Sequence, residues 1–231
     1  MTDPAPKTDP LRSDDRLAAD LRGFGPLGLL AIFVILAGNF FLAPLGAILV
    51  LVWVALSLTP WHEIGYVRPA SWVRDVAVGV VFGIAFKLLM KAVVMPLLGV
   101  DPINHAFHYL TGNRPALPAA IFTMIVVAGF GEETLFRGYM FERLAKLLGS
   151  GVWAKSAIVL FTAALFALAH YPVQGTSGAE QATITGLVFG TIFALTGRIF
   201  IPMVAHAVFD LTAIAIIYWD VESRVAHFVF K

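Results

Sequence analysis

Cysteine is absent from the 231 residues of this chain. Disulfides, thiol nucleophiles and thiolate-ligated metals are thereby excluded. Charge is also scarce, at 13% of residues, where a soluble domain carries about a quarter. Sixteen basic and fifteen acidic side chains nearly cancel, to a net +1. Without a basic surplus or a Gly-rich phosphate loop, nothing in the sequence points to nucleic acid or nucleotide. The N-terminus also lacks the basic start, short apolar core and small-residue cleavage site of a signal peptide, so the first apolar segment is expected to be retained.

What fills the chain is apolar. Hydrophobic residues make up 59% of it, and the mean hydropathy is +0.84. Long apolar runs recur along nearly its whole length, and a lipid-embedded backbone must satisfy its own hydrogen bonds. The expected fold is therefore all-α: a polytopic transmembrane helical bundle of about seven spans. A polar N-terminal tail (residues 1–24) precedes the bundle (25–218), and an amphipathic, interfacial C-terminal tail (219–231) follows it.

Residues 25–58 are long enough for two short spans, with a break near Gly38, Asn39 and Pro44. An interfacial loop with Trp61 and Trp72 as headgroup anchors leads to a third span at 73–98. The fourth covers 119–148, with its last turns expected in water. Spans at 154–170, 180–196 and 199–218 complete the set, and Pro172 is expected to end the fifth at His170. Counted on this layout, ten basic residues (Lys7, Arg12, Arg16, Arg22, Arg68, Arg74, Arg143, Lys146, Lys155, Arg198) fall on the N-terminal side. Three (Arg114, Arg224, Lys231) fall on the other. The positive-inside rule then orients the chain N-in, C-out, in a bacterial cytoplasmic (inner) membrane.

Ionisable groups inside spans are costly, at about 2.5–3.5 kcal/mol each on insertion scales, and need partners or a task. Lys87 and Lys91 lie one turn apart on the third span and are expected to snorkel or face the bundle interior. In the last four spans three clusters of ionisable residues stand out: Glu132, Glu133 and Arg137; His170; and His206 with Asp210. Glu133 and Arg137 stand i, i+4 with the acid first, the favourable order for a pair, while Glu132 points about 100° away. One carboxylate is thus expected to be paired and the other available. His206 and Asp210 share a face by the same spacing. Such a set suits water activation by a buried carboxylate, or a His–carboxylate metal site, or a proton relay in a coupled transporter. The residues alone do not choose among these.

The three clusters read "EETLFR", "FALAH" and "HAVFD". In this order, on separate apolar helices, they resemble the EExxxR, FxxxH and HxxxN/D motifs of the CPBP family. These are the CAAX-protease and bacteriocin-processing (Abi) intramembrane endopeptidases, which include Rce1-like prenyl-protein proteases. The resemblance covers residues 132–210. It implies hydrolysis of a peptide bond in a membrane-associated protein or peptide. Glu132 and His170 would activate water, His206 and Asp210 would stabilise the oxyanion, and Glu133 with Arg137 would shape the site. Asp210 stands where many members have Asn, and an ionised Asp cannot donate a hydrogen bond. Zinc or another divalent metal held by Glu132, His170, His206 and Asp210 is therefore an alternative to a metal-free site. A non-proteolytic immunity or scaffold protein of the same family is the rival functional reading.

Overall fold

In a computed structural model, which describes residues 13–41 and 43–230, every regular element is helical. The chain divides into two compact units at Pro60. In the first unit, α1 (Ser13–Arg22), α2 (Pro26–Phe41) and α3 (Ala43–Leu56) follow one another. Residues 1–12, most of the expected polar tail, lie outside the described residues, and its end is α1. Pro26 begins α2 at the position where a missing N–H costs nothing. Small residues set the approach of α2 to α3: a Cβ at Gly38 would meet Leu49 Cδ1 at 2.7 Å, and one at Gly46 would meet Asn39 Cβ at 2.5 Å. The indole of Trp53 donates to the Leu21 carbonyl at 3.1 Å and ties α3 to α1.

The second unit opens on a short 3₁₀ turn, Trp61–Ile64. Its helices are α4 (Trp72–Leu97), α5 (Arg114–Leu148), α6 (Val152–Thr196), α7 (Phe200–Tyr218) and a terminal turn, α8 (Glu222–Ala226). Ser71 caps α4 by accepting from the Arg74 amide at 3.3 Å. Near its end α4 widens to π winding over Met90–Val94, where Pro96 offers no N–H to the carbonyl four residues back. Close helix contacts again run through glycine. A Cβ at Gly83 on α4 would sit 2.5 Å from the Ala205 carbonyl of α7, and one at Gly129 on α5 would sit 2.6 Å from Ala207 Cβ. Small residues at such crossings let backbones approach closely, which is how helices gain packing energy in lipid.

One expectation is corrected. Pro172 does not end a helix at His170: it lies inside α6, and the chain reverses at Gly175 (φ +65°, ψ −160°) instead. Proline removes only its own donor, whereas that backbone conformation is essentially open to glycine alone. The two arms of α6 fold back on each other, with Lys155 Nζ donating to the Ala194 carbonyl at 2.9 Å and Gly186 packed on Ala163. The last turns of α5 pass from the buried Phe141–Arg143 to the exposed Lys146, Leu147 and Leu148. Glu142 pairs with Lys146, and Lys146 also reaches Glu63 at 3.7 Å.

The chain is an integral membrane protein. Four helices, α4 to α7, are long and apolar enough to cross a membrane, or five if the bent pair α1–α2 is one span. The expected count of about seven differs because it takes α2 and α3 as one span each and the arms of α6 as two. With 16 and 14 residues, α2 and α3 fall short of the ~20 a span needs.

Candidate active site

Glu132 ends one π-wound stretch of α5, Thr123–Glu132, and Glu133 joins it to a second, Thr134–Tyr139. Wider turns of this kind are rare and tend to mark functional positions. The expected pair is present: Arg137 Nη1 donates to Glu133 Oε1 at 2.8 Å. Both side chains are buried, at 1% and 0% exposure. The guanidinium also lies over the Phe166 ring, at 4.8 Å from its centroid.

The pair does not stand alone. His206, 73 residues later on α7, donates its Nδ1–H to the same Glu133 Oε1 at 2.7 Å. A carboxylate can only accept, so this bond places a proton on Nδ1. Nε2 is left to face the cavity, 3.5 Å from Asp210 Oδ2 and 3.8 Å from Glu132 Oε2. Phe189 and Phe166 flank the imidazole, at 5.3 and 5.9 Å between ring centres. His206 is therefore held by a carboxylate on one side and aromatic rings around it, with its other nitrogen presented.

His170 is held in a similar way by its own helix. Its Nδ1–H donates to the Phe166 carbonyl at 2.8 Å, the i−4 bond that the Phe166–His170 spacing permits. Its Nε2 is thereby an acceptor. Glu132 contrasts with both: its buried Oε2 makes no hydrogen bond to the protein. Glu132, His170, His206 and Asp210 all line one cavity of about 160 Å³, and Lys87 and Gln181 join them there. Glu133 and Arg137 do not line it and are joined to it by the bond from His206 to Glu133.

The sequence reading missed two features of this site. Glu133 was expected to neutralise Arg137; it also anchors His206 across the bundle. Lys87 was expected to face the interior but was given no part in the site. For a metal, the donors Glu132, His170, His206 and Asp210 share the cavity, yet among the described residues no three His, Asp or Glu side chains are gathered as a metal-holding group.

Comparison with known proteins agrees with the motifs. Residues 114–212, which hold all six candidate residues, match the family model described as type II CAAX prenyl endopeptidase, Rce1-like. No curated protein and no solved structure gives a match. Those motifs and that match make the segment from 114 to 212 similar to the Rce1-like, CPBP family of endopeptidases.

Proposed function

We propose that this chain is an intramembrane endopeptidase that hydrolyses a peptide bond in a membrane-associated protein or peptide, with Glu132 as its general base. One observation carries the reading: Glu132 Oε2 is buried, unbonded to the protein, and directed at His206 Nε2 across 3.8 Å. That gap is too long for a direct hydrogen bond and suits a reacting group bound between the two.

The chemistry follows from the hydrogen bonds. Glu132 takes a proton from water while His170 Nε2 accepts from the second O–H, orienting the oxygen toward the scissile carbonyl. The new C–O bond places charge on the carbonyl oxygen. His206, carrying a second proton at Nε2, donates to that oxyanion. Asp210 Oδ2 stands 3.5 Å from this nitrogen, so an ionised Asp210 serves by its charge, favouring the doubly protonated ring, rather than by donating. Glu133 fixes the other face of the ring, and Arg137 balances the Glu133 charge. Collapse breaks the C–N bond, and Glu132 returns its proton to the leaving amine. No step needs a metal. The N-in, C-out arrangement in a bacterial cytoplasmic membrane belongs to the same proposal, supported by the ten-to-three bias of basic residues.

The test is Glu132→Gln in liposomes, with cleavage of a membrane-anchored peptide library read by mass spectrometry. We expect a loss of about 10²-fold or more, the usual scale for a general base, with folding intact by thermal denaturation. Full cleavage by the folded variant would overturn the assignment.

A further inference from the structure

The active-site cavity continues into a second one of about 130 Å³, enclosed by the 98–106 loop, the end of α7 and α8. The two share walls, among them Lys87, Asn104, Gln174, Gln181 and Ala213. Two lysines of α4 face this space, and their situations differ. Lys91 is neutralised: it pairs with the buried Glu222 at 3.3 Å and donates to the Pro102 carbonyl. Glu222 also accepts from the Asn104 amide at 2.9 Å and pairs with His108 at 3.3 Å, so its carboxylate is fully engaged with the loop.

Lys87 has no such partner. Its side chain is 95% buried, with 5% exposure, yet it makes no ion pair among the described residues. It donates once, to Gln181 Oε1 at 2.9 Å, and its Nζ lies 4.6 Å from the centre of the Phe209 ring. An ammonium has three donors, and a neutral amide and a ring face do not balance a buried charge. Phe209 directly precedes Asp210 on α7, so the cation sits beside the reacting groups at the junction of the two cavities. Asp210 and Glu222 attract this cation only from beyond ion-pair distance, so its remaining donors are open to an anion that enters the cavity.

We infer that Lys87 is a specificity residue: its ammonium receives a carboxylate carried by the substrate close to the scissile bond. This rests on the endopeptidase reading and narrows it, from any membrane-associated peptide to one with an acid at that position. The carboxylate could be a free C-terminus or an Asp or Glu side chain. Both present the same two acceptor oxygens, and a charge-assisted bond to either distinguishes them from the corresponding amides.

The experiment uses the full chain in detergent and N-acetylated apolar hexapeptides in three versions: free C-terminal carboxylate, C-terminal amide, and C-terminal amide with one internal Glu. Cleavage is measured with the wild type, and binding is measured by thermal shift with Glu132→Gln, which holds peptide without turning it over. A carboxylate version should be preferred over the plain amide by about 10- to 100-fold, the range expected of a hydrogen bond to a charged group. Which carboxylate version wins identifies the source. Lys87→Gln should bring that ratio close to one, and Lys87→Arg, which keeps the charge, should retain most of it. Equal ratios in the wild type and Lys87→Gln would overturn the inference, as would no carboxylate preference in the wild type. Preferential binding without cleavage would count against the endopeptidase reading while leaving the subsite standing. Cleavage without preference would do the reverse. Removing a buried unpaired charge does not require the fold to fail, and thermal denaturation of each variant checks that it has not.

Discussion

Replacing Glu133 by Gln should cost far more than replacing its partner Arg137 by Met, although the two form one ion pair. Glu133 is the single carboxylate serving two donors, Arg137 Nη1 at 2.8 Å and His206 Nδ1 at 2.7 Å. Taking it away leaves a guanidinium at 1% exposure without a counter-charge and frees His206 to turn. Breaking a buried pair in this way costs about 3–5 kcal/mol. For a chain of this size that is a fall in Tm of roughly 6–20 °C. Arg137→Met leaves Glu133 with His206 still bonded to it, so its cost should be smaller, about 1–3 kcal/mol. The double variant removes both charges and should cost clearly less than the two singles together, because no buried charge remains unmatched. Thermal unfolding of the three variants in one detergent closes the cycle. Equal single effects that add within about 0.5 kcal/mol would refute the argument, since independent sites behave that way.

Other outcomes can be checked in the same system. Gly129→Val drives a side chain into Ala207 Cβ, 2.6 Å from where its own Cβ would stand, and into the Met203 carbonyl at 2.9 Å. It should cost roughly 1–3 kcal/mol and reduce cleavage by separating Glu133 from His206, with Ala207→Gly restoring part of both. Gly175→Ala forces an L-residue into φ +65°, ψ −160°, and should lower stability by about 1–3 kcal/mol and speed proteolysis at the α6 reversal. Chelation with EDTA should leave cleavage within about twofold of the untreated rate, because the proposed route activates water with Glu132 and uses no metal. Loss of activity restored by added zinc would sink that expectation.

How much of this was readable in advance depends on the range over which each signal acts. The Glu133–Arg137 pair and the Phe166-to-His170 spacing are local, and one turn of helix geometry suffices to foresee them. The bond from His206 to Glu133 joins elements 73 residues apart and is set by how α5 and α7 cross at Gly129, which no periodicity encodes. The π winding of α5 left no trace in hydropathy, because the run is apolar on nearly every side. Pro172 was misread because a proline's effect depends on whether its neighbours can spare one hydrogen bond. The true reversal was marked by Gly175 in "VQGTSG", a cluster of turn-forming residues just beyond it. Glu222 reads in the sequence as one more charge on an amphipathic, interfacial tail, and only the folded loop turns it into the buried partner of Lys91.

The order in which the two partners of Glu133 are synthesised has a consequence for how the protein enters the bilayer. α5 leaves the ribosome about seventy residues before His206 exists, so during insertion Glu133 must be escorted by something already on its own helix. Arg137 is that escort: it lies one turn on and closes the charge locally, which makes α5 cheaper to hand from the translocon to lipid. When α7 arrives, His206 joins a carboxylate that has already been neutralised and placed. The arginine thus serves the helix on its way into the membrane first, and the finished site only later.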